Sequence, residues 1–395
     1  MALGVYISVP FCRTKCSYCN FASDVFSRAV FERYVERVCG DIEGADRFAE
    51  AGGKMERAVD SVYLGGGTPT VLETGQLERI FGNLRQKFDV RPDAEVTVEC
   101  APGTLAPAVL ESLLRCGVNR VSLGVQSFVD EEAAAVGRLH KRAIVLEDIA
   151  RLRAAGIENI NIDLIAGMPH QTAASWEFSL AQTIAAQVHH ASVYMLEVDE
   201  DSRLGRELIA GGARYHAHFV PDEDATADFY LAACERLEGA GIAQYEISNF
   251  ARPGLESRHN LKYWTRQPYL GFGVDAHSML RSGSVAGAAV RYSTADALEQ
   301  YVSGAPLQSM VVNRRMALEE AFFLGLRLTR GVELRGVAAE FGDENLEGFR
   351  EPIAEFVKEG LLVRAGDSIR LTERGRLLSN EVFQRFISLS PAAAS

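Results

Sequence analysis

Val5-Tyr6-Ile7-Ser8-Val9-Pro10-Phe11-Cys12-Arg13-Thr14-Lys15-Cys16-Ser17-Tyr18-Cys19 is the stretch from which the rest of the chain is read. A short β-branched run ends at a proline and a C-x3-C-x2-C motif follows at once. The thiols of Cys12, Cys16 and Cys19 therefore leave from the C-terminal end of a buried strand. That spacing lets one short loop wrap three thiolates around three corners of an iron-sulfur cube, leaving the fourth iron without a protein ligand. A structural zinc site is the alternative, but it wants four closed ligands, commonly as two C-x2-C pairs, and no fourth cysteine or histidine lies close in sequence. Cys39, Cys100, Cys116 and Cys234 stand singly and read as small buried apolar residues.

Working outward, similar runs at residues 61–64, 95–98, 121–125, 160–164 and 191–196 alternate with amphipathic stretches. In the first of these stretches Phe26, Val30, Tyr34, Val38 and Ile42 recur every fourth residue. Strand and helix in alternation predict an α/β fold with a parallel sheet and right-handed crossovers; six such units predict an open, partial (β/α)6 barrel. In α/β barrels the C-terminal strand ends form the face where chemistry collects. On that face lie the cysteine loop, Gly65-Gly66-Gly67-Thr68-Pro69, Glu99, Gln126, Asp163 and Glu197. Glycines without Cβ let a ligand approach the backbone, and no Gly-Lys-Ser/Thr follows that would make this a phosphate loop. Arg138 and His140 follow a helical turn beyond Gln126 and read either as ligand-facing or as a surface ion pair. Gly271-Phe272-Gly273 is too short for a dinucleotide fingerprint and reads as a strand bulge.

Composition bounds the rest. With 395 residues, 47% hydrophobic and 24% charged, the chain is globular. We expect residues 1–200 to form the barrel, 201–310 an extension with a helix at about 222–237, and 311–390 a small helical domain. That last domain carries a β-hairpin wing at residues 361–371, and residues 390–395 read as a frayed tail. Lys+Arg total 41 against 53 Asp+Glu, a net charge of -12, so nucleic acid is not an expected partner. Even the winged region holds 12 basic and 13 acidic residues, without the footprint of a DNA reader. Seven cysteines, three of them clustered, suit a reducing cytoplasm better than a secreted disulfide framework. The sequence carries no targeting segment that we recognise and no apolar run long enough for a transmembrane helix.

The cysteine motif, with aromatic Tyr18 before its last cysteine, and the GGGTP element at residues 65–69 resemble the radical S-adenosylmethionine (SAM) superfamily. The resemblance implies a [4Fe-4S] cluster on Cys12, Cys16 and Cys19. It also implies a SAM molecule whose amino and carboxylate groups chelate the open iron and which an electron from the cluster cleaves to a 5'-deoxyadenosyl radical. Over nearly the whole chain, at residues 5–23, 63–70, 122–128, 161–172 and 244–279, it extends to the group containing oxygen-independent coproporphyrinogen III dehydrogenase and the heme chaperone family. Carried over position by position, Tyr6, Tyr18, Gly66, Gly67, Thr68, Glu99, Gln126, Arg138, Asp163 and His277 are the implied cofactor-binding residues.

Three features favour the heme chaperones over the dehydrogenases within that group. Phe21 stands where the dehydrogenase carries a further cysteine, and the chain starts almost directly on the first strand, without the dehydrogenase's N-terminal extension. His259-Asn260-Leu261-Lys262-Tyr263-Trp264 matches the chaperones' HNxxYW element. Arg252, Arg258, Lys262 and Arg266 surround it in an otherwise acidic chain, and arginine forks suit propionates. Tyr263 and Trp264 could stack on a macrocycle and His259 could supply an axial nitrogen; the alternative is a loop whose aromatics anchor it to the barrel. The resemblance thus implies heme or a related tetrapyrrole as cargo, hemoprotein acceptors, an electron donor such as a flavodoxin, and a cytoplasmic location. Peripheral membrane contact through the basic stretch stays open. The rival is an enzyme that converts two propionates of coproporphyrinogen III to vinyl groups.

Overall fold

The computed structural model describes residues 1–50 and 52–387; the expected tail at 390–395 lies outside them. All six expected strands form: β1 (Leu3–Val9), β2 (Ala58–Gly66), β3 (Asp89–Cys100), β4 (Arg120–Gln126), β5 (Asn159–Ala166) and β6 (His190–Met195). They pair in parallel and in chain order, which is the partial (β/α)6 barrel. Period-two alternation explains why they sit where they do. Val5, Ile7 and Val9 of β1 are fully buried in the main core, while Tyr6 turns the other way, toward Tyr63 and His259 inside the barrel. Each such aliphatic side chain contributes roughly 1.5–3 kcal/mol on burial. The helix Ala29–Glu43 covers this outer face with Tyr34, Val38 and Ile42, three members of the sequence stripe.

Residues 201–310 extend the same sheet at both edges. After the helix Glu223–Gly239, whose N-cap is Asp222, β8 (Asn249–Ala251) adds antiparallel to β6, and β7 (Ala243–Glu246) pairs antiparallel with β8 at the edge. On the other side β9 (Tyr269–Gly273) joins β1 in parallel, followed by β10 (His277–Arg281), β11 (Ala289–Ser293) and β12 (Gln308–Val312) as antiparallel neighbours. Toward β1 the bulge expected at 271–273 does not interrupt the register, which runs unbroken from Gly4↔Tyr269 to Ser8↔Gly273, while toward β10 the ladder pairs only at Tyr269↔Met279. The glycine serves close packing instead: a Cβ on Gly271 would lie 2.2 Å from the His277 carbonyl of β10. β7 and β12 end the sheet without pairing to each other, so the barrel stays open.

The C-terminal region packs the helices Arg314–Gly325, Leu334–Phe341, Glu347–Lys358 and Ser379–Ile387 against β13 (Val332–Glu333), β14 (Leu362–Ala365) and β15 (Ser368–Leu371). β14 and β15 are the expected wing. Stacked Phe322, Phe349 and Phe386 fill its core. Buried Glu320 ties the unit to the barrel extension through Arg266 at 3.4 Å and Arg291 at 2.9 Å.

Candidate cofactor site

The cysteine loop leaves β1 over Phe11, which stacks on Phe31 with ring centroids 3.8 Å apart. Backbone bonds then close the loop on itself: Cys12 N–H donates to Asp24 O and Asp24 N–H to Pro10 O, both at 3.0 Å. Lys15 Nζ donates to the carbonyls of Phe21 at 2.7 Å and Ser23 at 2.5 Å, so this cation holds the loop's shape. The thiols receive donors from neighbouring loops: Thr68 Oγ1, just beyond β2, lies 3.8 Å from Cys12 Sγ and Arg138 Nη1, beyond the helix Asp130–Ala135, 3.6 Å from Cys16 Sγ. Burial pulls the Arg138 guanidinium down, and the Tyr18 hydroxyl and Cys16 thiol beside it more than reverse this, so it stays charged next to the sulfurs.

These groups open onto one cavity of about 530 Å³. Cys12, Cys16, Cys19, Tyr18, Gly66, Gly67, Thr68, Glu99, Gln126, Arg138 and Asp163 all line it, so the structure gathers most of the residues singled out in sequence. Gly66 has φ 91°, and a Cβ there would lie 2.7 Å from Ser8 Oγ; on Gly67 one would meet Val9 O at 2.7 Å. Gln126 also has a positive φ, 68°, where β4 slips register against β5. Glu99 accepts from Tyr63 Oη at 2.9 Å and from Gly66 N–H at 3.1 Å. Burial, with Asp163 adding repulsion, still pushes its carboxyl up to about 7. Asp163 is likewise raised by burial, against hydrogen bonds from Ser192, Asn161 and Ser122. His140 lies under the rim with Nε2 3.1 Å from Val125 O, and burial followed by the Arg138 charge pushes it down to about 4. At 8% exposure and bound to a backbone carbonyl, His140 is a buried residue rather than a member of a surface ion pair.

Two carried-over residues stay outside the cavity lining. Tyr6 lies deeper in the barrel, its ring centroid 6.0 Å from that of Tyr63. His277 sits at the start of β10, 65% exposed and 3.6 Å from Asp275.

The expected heme element is a short buried helix. His259, Tyr263, Trp264, Arg258 and Lys262 belong to the helix Arg258–Trp264, capped by Ser257 and seated under β2 and β3. His259 is 1% exposed and both ring nitrogens are engaged, Nδ1 with Ser61 Oγ at 3.1 Å and Nε2 with Tyr263 Oη at 2.8 Å. Burial, then the charges of Lys262 and Arg120, pushes it down to about 3. Lys262 Nζ is bound to Asp60 at 2.7 Å and Ala2 O at 2.9 Å, and Arg258 Nη1 to Asp93 O at 2.8 Å. Tyr263 packs edge-on against Tyr269, and Arg327 covers the Trp264 ring at 4.2 Å. The element is anchored to the barrel, with both His259 ring nitrogens hydrogen-bonded to side chains. Only Asn260, among the residues of this helix, reaches the cavity.

Sequence reasoning missed a polar wall. Arg120 and Ser122 of β4, Asn161 of β5, and Ser192 and Tyr194 of β6 line the same cavity. Asn161 Nδ2 donates to Asp163 Oδ1 at 2.7 Å and Ser122 Oγ to Asp163 Oδ2 at 3.1 Å. The signal was present: polar residues at every second position of otherwise β-branched strands mark the face turned toward the barrel interior.

The Radical SAM superfamily model matches residues 6–181 and the HemN C-terminal domain model residues 312–378. Fold and site thus define a radical SAM protein. "Heme chaperone HemW" of Bacillus subtilis is 34% identical over 97% of this chain and 99% of its own length. That of Lactococcus lactis is 32% identical over 97% of each chain, and that of Escherichia coli 29% identical over 98% of each. The solved structure of coproporphyrinogen III oxidase (HemN) from Escherichia coli has a TM-score of 0.81 at 24% identity, covering 98% of this chain and 90% of that one, and shares the fold. The chain belongs to the HemW heme chaperone family of the radical SAM superfamily.

A [4Fe-4S] cluster and SAM are the cofactors of this superfamily, and together they supply one-electron chemistry when bound. The residues fit them. Among the described residues no three Cys, His, Asp or Glu side chains converge on a single ion, as zinc would require, whereas a cubane takes each thiolate on its own iron. Cys12, Cys16 and Cys19 would hold the cluster, with Arg138 and Thr68 donating to its sulfurs. Gly66 and Gly67 would give SAM backbone to lie against, and Glu99 and Asp163, which line the same cavity, would give its cationic groups carboxylates to face.

Proposed function

We propose that this chain is a radical SAM heme chaperone: it binds heme and hands it to hemoproteins, with the cluster and SAM in an auxiliary or regulatory role. The observation that carries the reading is full-length similarity, at up to 34% identity, to proteins named heme chaperone HemW. Exposed Phe21 at the cavity mouth supports it, since a cysteine would stand there in the dehydrogenase. No described helix is long and apolar enough to cross a membrane, and reduced cysteines at Cys12, Cys16 and Cys19 suit the cytoplasm. A flavodoxin-like donor would supply the electron. The test is oxygen-free incubation of reconstituted protein with coproporphyrinogen III, SAM and reductant, beside transfer of bound heme to an apo-hemoprotein. Heme transfer without protoporphyrinogen is expected; protoporphyrinogen formation would make the chain the decarboxylating enzyme instead.

A further inference from the structure

Among the described residues three lysine or arginine side chains are buried: Arg120, Lys262 and Arg266, at 2%, 2% and 6% exposure. Lys262 is paired with Asp60 at 2.7 Å and Arg266 with Glu320 at 3.4 Å. Arg120 forms no ion pair among the described residues. Its side chain makes one long hydrogen bond, Nη1 to Thr97 Oγ1 at 3.5 Å, and Nε has no partner. The Arg120 charge lowers the carboxyls of Glu99 and Asp163, but neither touches it, and burial still holds both above the ordinary carboxylate range. An arginine keeps its charge inside a protein, and a buried charge is costly unless something pairs with it. This guanidinium therefore calls for a counterion that the chain does not supply at contact distance.

There is room to receive one. Arg120 lines the cavity of about 530 Å³, as do Ser122, two residues further along the same face of β4, and Asn260 of the helix Arg258–Trp264. Arg120 opens β4, at the end away from the cysteine loop. Gly124, whose carbonyl accepts from Arg138 beside Cys16, lies four residues on, about 13 Å along the strand. The cavity thus has two cations: Arg138 at the cluster end, already engaged, and Arg120 at the floor, with its fork open. A planar fork with free donors suits a carboxylate, which it can hold bidentately.

We infer that Arg120 seats a ligand carboxylate at the floor of the barrel cavity, and that this carboxylate is a propionate of the tetrapyrrole. The assignment rests on the chaperone reading. SAM brings a carboxylate too, but in the radical SAM superfamily that group belongs at the open iron, toward the other end of β4, which leaves the propionates for Arg120.

The test titrates reconstituted full-length protein with hemin and with hemin dimethyl ester, which lacks free carboxylates, by absorbance, and with SAM by calorimetry. Wild type should bind hemin at least about tenfold more tightly than the ester. Arg120→Gln should bring hemin down to the affinity of the ester and leave ester and SAM binding unchanged. Arg120→Lys, charged but without the fork, should fall between. Without ligand, the denaturation midpoint of Arg120→Gln should be no lower than that of wild type, because an unpaired buried charge is removed. A lower midpoint would make Arg120 a structural counterion of Glu99 and Asp163 and overturn the seat. If Arg120→Gln keeps the preference for hemin over its ester, the seat is overturned and the chaperone reading stands. If the variant loses SAM affinity instead, the carboxylate is that of SAM and the propionate assignment is overturned. If wild type takes up neither hemin nor the ester, the chaperone reading falls and the site with it.

Discussion

The C-x3-C-x2-C loop at one end of the barrel and the HNxxYW helix at the other are both dense in groups that bind metals, yet the fold uses them in opposite ways. In the loop, the shape is held by backbone bonds and by Lys15, so the three thiols remain free to face the cavity. In the helix, the potential ligands do the holding: His259 binds Ser61 and Tyr263, Lys262 binds Asp60, and Trp264 lies under Arg327. A motif can bind only with lone pairs that its own fold has not engaged, and sequence spacing does not report which those are.

The sharpest way to break this comparison is to remove one member of each set. Cys12→Ala should abolish the cluster, taking iron from about four per chain to a small residue and removing the visible band, while the folded circular dichroism spectrum stays. Full iron retention would mean that the loop is not the ligand set. His259→Ala should do the reverse. It deletes a buried ring and leaves Ser61 and Tyr263 without their partner, so the denaturation midpoint should fall by the equivalent of about 2–4 kcal/mol, with iron content and hemin spectrum unchanged. A variant that kept its stability and lost heme would restore the helix as a ligand site.

Glu99 sharpens the cavity side of the contrast. Its carboxyl sits at about 7 in the folded protein against an ordinary 4.5, so the folded state holds the proton more tightly. The stability this contributes is fully present below about 4.5 and is lost as pH rises through 7. SAM is cationic at its ammonium and sulfonium, so its binding should strengthen over the same rise, as the carboxylate forms. Glu99→Gln should bind SAM about tenfold more weakly at pH 8 and flatten the dependence between pH 6 and 8, measured by calorimetry on reconstituted protein. An unaltered pH profile in the variant would place the titrating group elsewhere.

Legibility followed the same division. The six strands were readable because each carries aliphatic residues on one face and turns at its ends, as in Val5, Ile7 and Val9. The cofactor face was readable because in a parallel barrel every C-terminal strand end points the same way, which placed Glu99, Gln126 and Asp163 with the cysteines. Arg120, Ser122, Asn161 and Ser192 were not singled out: their every-second-position spacing marks the interior face, but which of them meet is set by the register across the sheet. The partners of His259 and Lys262 were not legible for a related reason: Ser61, Asp60 and Ala2 lie about two hundred residues or more away in the chain.

Asn260 gives the smallest and most discriminating measurement, because it sits beside His259 on the same helix but borders the cavity. If closure belongs to the whole helix, Asn260→Ala should destabilise it much as His259→Ala does. If closure belongs to individual side chains, the two neighbours should behave differently. Among the described residues the Asn260 side chain forms no hydrogen bond, while its backbone N–H is held by Ser257 Oγ at 3.3 Å. Truncation there should therefore change stability by no more than about 0.5 kcal/mol, as at an unengaged position. It should still shift SAM affinity by roughly two- to threefold, since a polar group bordering the pocket is lost where desolvated hydrogen bonds count for about 1 kcal/mol or less. Equal destabilisation of both variants would make the helix a single structural unit; a stability change confined to His259→Ala with a binding change confined to Asn260→Ala would place the boundary between scaffold and site between two consecutive residues.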